Sequence, residues 1–414
     1  IINTKIDGGN SVISGNFSSS ESKDLANILG SGKLKSKLKI LQQSVVGPSL
    51  GQASIDSSMK SFIIALIIVL LYMIFYYSGA GVVSNIALIA NVFFIFGVLA
   101  STGLVLTLPG IAGIVLTIGM SVDANVLIYE RIREEIANGK GIRLAISDGY
   151  NSAYSSIIDA NVTTLLTGII LYIFGSGPIK GFATTLIIGI LTSLFCAIFI
   201  TRLIISARLN KGKEISFSTK LTKGAFKNLN IDFIGKRKVF YVLSTIVILF
   251  GGYSLSTKGL DYGIDFSGGR TYVVNIPDEA ITNDDIKSSL SKVFVNENRS
   301  TQSIQVSKFN DLTEIDPNNP QKKVAVNAVK ITTKYMIDSE SLDADSIVTS
   351  TLLNGLGSDF TEENIVSYQK VASTIADDIR SSAWGSIIFS LLVIFLYILV
   401  RFKKWQFSLG AVVA

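Results

Sequence analysis

The chain has 414 residues, 48% of them hydrophobic and only 16% charged, with 37 Lys and Arg against 31 Asp and Glu for a formal net charge of +6. That is too apolar for an ordinary soluble domain of this length. One Cys and no His exclude an intrachain disulfide, a cysteine metal cluster, a Ser-His-Asp triad and a histidine proton relay within the sequence.

Residues 1–58 read as the end of an α+β domain, with a strand at 11–15, a helix at 19–30 and a strand at 37–46. Apolar runs then begin. Seven are long enough to cross a bilayer as helices, at about 61–77, 84–106, 109–129, 158–174, 182–201, 239–256 and 383–400, and an eighth starts near Phe407. The third, Pro109 to Tyr129, reads PGIAGIVLTIGMSVDANVLIY and carries Asp123 well inside it. A carboxylate near the bilayer centre costs about 2.5–3.5 kcal/mol on insertion scales, so such residues mark ion or proton paths. Gly119, Asp123 and Glu130 fall on one helical face, and Gly119 leaves room for a neighbouring helix. The alternative is an Asp neutralised by a neighbour and kept for packing.

Asp159, Asn161, Thr163 and Thr164 open the fourth span as a second polar cluster. Two readings stay open for it, a relay and a helix cap, because Asp and Asn favour the cap position. Gly175-Ser176-Gly177-Pro178 reads as a plain turn. The single Cys, Cys196, lies inside the fifth span. After the sixth, Gly263-Ile264-Asp265-Phe266-Ser267-Gly268-Gly269 leads into a soluble segment. Its glycines suit a tight backbone passage, and the functional alternative is a coupling element between helix and domain. From 270 to 370 the order is strand 270–276, helix 283–294, strand 303–309, strand 324–332, helix 343–356 and strand 364–371. That is the β-α-β-β-α-β ferredoxin-like pattern, with a turn-rich insertion at Asp316–Pro320. No catalytic constellation and no GxxxxGK[ST] loop appear. An enzyme is therefore not expected, nor a metal or cofactor, and any work must draw on a partner or an ion gradient.

Basic residues cluster at 131–143, 202–238 and 401–404, always separated by an even number of spans. The positive-inside rule puts all three in the cytoplasm and residues 1–58 and 258–382 on the opposite side. The positive charge is thus topological, and nucleic-acid binding is not expected. The start at Ile1 without Met, and the apolar run cut at Ala414, suggest a piece of a longer protein. Val46-Gly47-Pro48-Ser49-Leu50-Gly51, then Ser57-Ser58 and an apolar span, has a counterpart in Val371–Ala376, Ser381-Ser382 and a second span. Two related halves with a working site at their interface are a common transporter plan.

GIVLTIGMSVDANVLIYERIREE, GYNSAYSSIIDANVTTLL and GSGPIKGFATTL, followed by Phe233–Lys238 and Gly263–Gly269, resemble the SecDF family of the bacterial protein-export machinery, with a SecD-like part before a SecF-like part. The resemblance implies a polytopic α-helical membrane protein of the RND type, pseudo-duplicated, with periplasmic α+β ferredoxin-like domains. It implies twelve helices in the whole, of which this chain would hold the second to the eighth and the start of the ninth. Residues 1–58 would end the first periplasmic domain, 59–206 hold five SecD-like spans, and 207–238 form a basic cytoplasmic linker. Residues 239–257 would be the first SecF-like span, 258–382 the second periplasmic domain, and 383–414 the next spans.

By the same resemblance the function is proton-motive-force-driven assistance to the Sec translocase at the bacterial inner membrane. The partners would be the Sec channel, a membrane insertase, the unfolded polypeptide in transit and the lipid bilayer. Asp123 would carry the coupling ion, a proton, with its basic partner on SecF-like helices beyond this chain. Gly47, Pro48 and Gly51, with Gly263, Asp265, Gly268 and Gly269, would be coupling elements. The SecF-like copy has Ala372-Ser373 and Ala376 where the SecD-like copy has Gly47-Pro48 and Gly51, which departs from a shared role. The rival classes are a small-molecule or lipid exporter of the same architecture and a non-pumping scaffold of the channel.

Overall fold

In the computed structural model the chain divides into Ile1–Ile40 and Leu41–Ala414. The structure describes residues 40–413 except 224–231, 233, 261, 277–281, 296–303, 310–312, 317–318, 326–327, 340 and 342. The strand at 11–15 and the helix at 19–30 lie outside the described residues.

Seven helices among the described residues are long and apolar enough to cross a membrane. They are α1 (Pro48–Tyr77), α2 (Gly79–Thr102), α3 (Leu108–Ala137), α4 (Ile142–Phe174), α5 (Gly177–Asn210), α6 (Arg237–Lys258) and, after the soluble domain, Ser373–Phe402. The start of the eighth run is a further helix, Trp405–Val413. The helices outrun the apolar windows because polar turns continue them into water. The fourth does so most, beginning at Ile142 rather than 158. Gly175 caps α4 and Pro178 sits in the first turn of α5, so the expected turn is there. The second span is shorter at its end, since Gly103 at φ 65 closes α2 after Thr102.

Helix α3 is the best covered of the seven. It lies very close to α5: a Cβ on Gly113 would stand 2.3 Å from Thr185 Oγ1, and one on Gly189 2.4 Å from Thr117. Small residues at such contacts let membrane helices approach until their backbones nearly touch. Around this seam Ile114, Ile118, Ile128, Tyr129 and Ile132 of α3 form one core with Leu88 and Ile95 of α2 and Ile157 of α4. By contrast, α6 buries no residue.

The soluble domain holds β1 (Gln42–Val46), a short helix α7 (Ile264–Ser267), β2 (Gly269–Asn275), α8 (Asn283–Val293), β3 (Ile304–Phe309), β4 (Thr313–Asp316), β5 (Asn319–Ala325), β6 (Ala328–Thr333), α9 (Ala344–Leu356) and β7 (Ile365–Val371). Its sheet runs β1-β7-β2-β6-β3, antiparallel throughout. The last four strands have the ferredoxin-like order, with Tyr272 and Val274 packed on Ile286 and Leu290 of α8 and Val348 and Leu352 of α9. One expected boundary is corrected. The strand read as 324–332 is two: β4 and β5 form their own hairpin over the Asp316–Pro320 insertion, and β6 starts at Ala328. Val324–Ile331 is apolar except at Asn327 and Lys330 and carries no Gly or Pro, so periodicity alone cannot place the boundary.

Strand β1 belongs to this same sheet, paired with β7 from Gln42↔Val371 to Val46↔Ser367. Each of these strands runs into a long helix, α1 or α10 (Ser373–Phe402). Gly47 N–H donates to Val366 O at 2.8 Å, and Ala372 N–H donates to Leu41 O at 2.8 Å. The two cap residues share a conformation, φ −61 and ψ 152 at Gly47 and φ −66 and ψ 151 at Ala372. The short sequence repeat is therefore a local pseudo-twofold in the backbone.

Candidate functional site

Asp123 stands at the middle of α3. Leu116, Gly119, Leu127 and Glu130 are exposed with it, in one stripe down a helix whose other faces are buried. The expected shared face of Gly119, Asp123 and Glu130 is therefore present. A Cβ on Gly119 would meet nothing within 4 Å. Among the described residues Asp123 has no hydrogen bond or ion pair. A carboxylate on an uncovered face at membrane depth needs a cation, water or a proton to be tolerated.

Glu130, two turns further, is engaged. It accepts from Tyr77 Oη of α1 at 2.9 Å and from Arg133 Nη1 at 2.6 Å. Arg133 also donates to Thr222 O at 2.7 Å and lies over the Tyr76 ring, 5.3 Å from its centroid. Thr222 Oγ1 in turn donates to Tyr76 O at 2.8 Å. The stripe carrying Asp123 thus ends in a knot of α1, α3 and the segment after α5. In the sequence Arg133 stands only as one of the basic residues flanking a span.

The polar cluster on α4 is not a cap. The helix begins seventeen residues before Asp159, with Gly141 as its cap residue, so the capping alternative for Asp159, Asn161, Thr163 and Thr164 is withdrawn. Asn161 donates to Ile157 O, and Thr163 and Thr164 both donate to Ala160 O, the usual way a helix absorbs such side chains. Asp159 alone reaches another element. Tyr397 Oη and Arg401 Nε of α10 each donate to its Oδ1 at 2.8 Å, and Arg401 also donates to Ser155 Oγ. This ion pair ties the first group of helices to α10. Nothing in the sequence links positions so far apart.

The glycine-rich passage sits at the root of α10. Gly268 has φ 68, and a Cβ there would lie 3.1 Å from Ser373 Cα. Gly269 opens β2 opposite Val371. Ile264 packs on Val371 and Ala376, Arg380 Nη2 donates to Phe266 O at 2.5 Å, and Gln369 Nε2 donates to Asp265 Oδ1 at 3.4 Å. At the root of α1, a Cβ on Gly47 would stand 2.6 Å from Val366 O, Pro48 takes the first turn, and Leu50 packs on Val273 and Ala328. A Cβ on Gly51 would meet open space, whereas Ala376 in the other copy is buried. Both long helices are thus set into one sheet.

Beside these roots, Arg270 and Lys370 face each other across β2 and β7. Like charges so placed repel. Asp345 of α9 neutralises both, accepting from Arg270 Nη2 and Lys370 Nζ at 2.6 Å each. Burial pushes its carboxyl up, but Lys370 and Arg270 outweigh that and hold it below the ordinary carboxylate range.

The profile described as "Protein export membrane protein SecD/SecF, C-terminal" matches residues 30–211 and 352–414, and that of the SecD/SecF GG motif matches 253–275. The chain belongs to the SecD/SecF family. The first profile thus falls on both root regions, α1 and α10, and the second on the Gly268-Gly269 passage. The SecD subunit of the protein translocase from Rhodothermus marinus is 54% identical over 204 residues, 49% of this chain and 33% of that protein. The one from Magnetococcus marinus is 50% identical over 206 residues, 50% of this chain and 39% of that protein. The crystal structure of SecDF from Thermus thermophilus, a translocon-associated membrane protein, covers 100% of this chain and 52% of its own with TM-score 0.77 and 26% identity. SecDF in a super-membrane-facing form covers 96% of this chain and 50% of its own, with TM-score 0.62 and 26% identity. The chain spans about half or less of each of these proteins. It is a polytopic helical membrane protein with an α+β domain.

Proposed function

We propose that the chain is part of an accessory subunit of the Sec preprotein translocase that draws on the proton motive force to assist export across the bacterial inner membrane. The observation that carries this reading is Asp123, a carboxylate without a partner among the described residues, at the centre of the best-covered helix of a SecD/SecF-family chain. Its uncovered stripe offers a docking face for SecF-like helices, and a cation there would hold the ionised form while an apolar environment favours the neutral one. Alternating the two would take up a proton on one side and release it on the other. The soluble domain would move with α1 and α10, because Gly47, Pro48, Gly263, Asp265, Gly268 and Gly269 lie where those helices enter its sheet; at Gly51 a side chain would meet open space. The translocating polypeptide and the Sec channel are the proposed partners, with an insertase as a further one.

Depletion in cells separates this reading from the exporter. Slowed maturation of secreted precursors with unchanged drug sensitivity is expected. Drug sensitivity with normal secretion would refute it.

A further inference from the structure

The sheet of the soluble domain turns one face to its helices, where Ile304 and Val306 of β3 pack in the same core as Tyr272 and Val274 of β2. The other face carries a row of polar side chains across four strands. Gln305 stands opposite Thr332, Thr332 opposite Thr271, and Thr271 opposite Gln369. The Thr271 and Thr332 hydroxyls are 3.1 Å apart, and the row ends where Gln369 donates to Asp265. A groove of about 440 Å³ is lined by all five.

That lining reaches the edge of the sheet. Among the described residues β3 is an end strand, paired with β6 alone. Successive residues of a strand point to opposite faces, yet Ile304, Gln305, Val306 and Ser307 all border the groove, together with Lys287 of α8. The groove therefore wraps around the edge of β3, where backbone N–H and C=O groups not turned to β6 are available. Two of its lining residues are lysines, Lys330 on the polar face and Lys287 on the helix side. Both are exposed, and among the described residues neither has a carboxylate partner. Main-chain groups at a sheet edge bind an extended chain through its own backbone. Hydroxyls and amides, which both donate and accept, suit peptide groups, and the lysines add a preference for acidic side chains.

Resting on the export reading above, we propose that this groove holds the polypeptide in transit, an extended segment rich in acidic side chains lying along β3 as an added strand. Gly263, Ile264 and Asp265 line the groove too, so a held segment touches the passage at the root of α10. The probe is a secreted precursor with an acidic segment, stalled in the channel of cells that carry the full-length protein with benzoylphenylalanine in place of Gln305. Photocrosslinking to the precursor is expected severalfold above that from the same group in place of Ile347, an exposed residue of α9. Lys287→Gln with Lys330→Gln, both surface changes, should lower the yield severalfold. Lys287→Glu with Lys330→Glu should move the preference to a precursor with a basic segment. Equal yields from positions 305 and 347, or a yield unchanged by the lysine variants, overturns the proposal. Crosslinks from position 305 to the channel or to the protein itself, in place of the precursor, would assign the groove to another occupant and also overturn it. Depletion that leaves precursor maturation unaffected refutes the export reading itself, whereas slowed maturation without the crosslink refutes this groove alone.

Discussion

Single residues set the electrostatics of both layers. In the soluble domain the Arg270–Asp345–Lys370 group is an ion triad with two almost fully buried cations. Removing the carboxylate leaves them uncompensated. Such losses cost about 3–5 kcal/mol for fully buried pairs, and the lower figure applies because Asp345 itself is a third exposed. Asp345→Asn should therefore speed amide hydrogen exchange across β2 and β7, with the membrane helices unaffected. The pH dependence has a definite sign. A carboxyl whose folded value is depressed contributes stability above its unfolded value, and that contribution is lost as pH falls through the folded one. Protection of β2 and β7 should thus be constant near neutrality and fall only in acid, below the ordinary carboxylate range. The Asn variant should lack that acid step. Asp123 differs from Asp159 in having no partner among the described residues, although both are aspartates in apolar helices. Sequence shows the two alike. Only the packing separates an engaged carboxylate from a free one.

At the scale of elements, the two roots behave as joints. Gly47→Ala puts a methyl 2.6 Å from Val366 O, and a forced backbone shift of that kind costs about 1–3 kcal/mol. Gly51→Ala meets open space and should be neutral. Thermal unfolding of the detergent-solubilised chain checks both, and equal effects would contradict the joint at Gly47. The α4–α10 clasp is tested by a double-mutant cycle of Asp159→Ala and Arg401→Ala: the two single losses should not add, and full additivity would contradict the clasp. Much of this was legible beforehand. Seven spans, the turn at Gly175–Pro178 and the βαββαβ order follow from apolar period and turn chemistry. The start of α4 was not, because residues 142–157 are polar outside the bilayer yet helical through Tyr150, whose hydroxyl bonds Thr201 of α5 at 2.8 Å. The division between β5 and β6 was hidden because the mostly apolar run Val324–Ile331 contains no Gly or Pro to mark it. The Asp159–Arg401 contact joins residues 242 positions apart, which no local pattern records.

By the positive-inside rule, the Lys and Arg flanking the spans predict Lys220 in the cytoplasm and Ser339 opposite it. Cysteine at Ser339 should react with an impermeant thiol reagent added to intact spheroplasts, and cysteine at Lys220 should not. The reverse pattern would invert the topology. Strand β1 pairs with β7, so α1 and α10 enter the membrane from one sheet, and a change at the helices would reach the domain through both. One proton crossing gains about 2.3 kcal/mol per 100 mV of potential, enough to shift a two-state balance severalfold. Asn at position 123 keeps the shape of the side chain and cannot ionise. The direct measurement is export of a secreted precursor by Asp123→Asn, compared with the unsubstituted protein at a series of imposed proton gradients. The variant should insert and fold normally and lose gradient-dependent stimulation. Export at the unsubstituted rate, with the same dependence on the gradient, would contradict the proton role of Asp123.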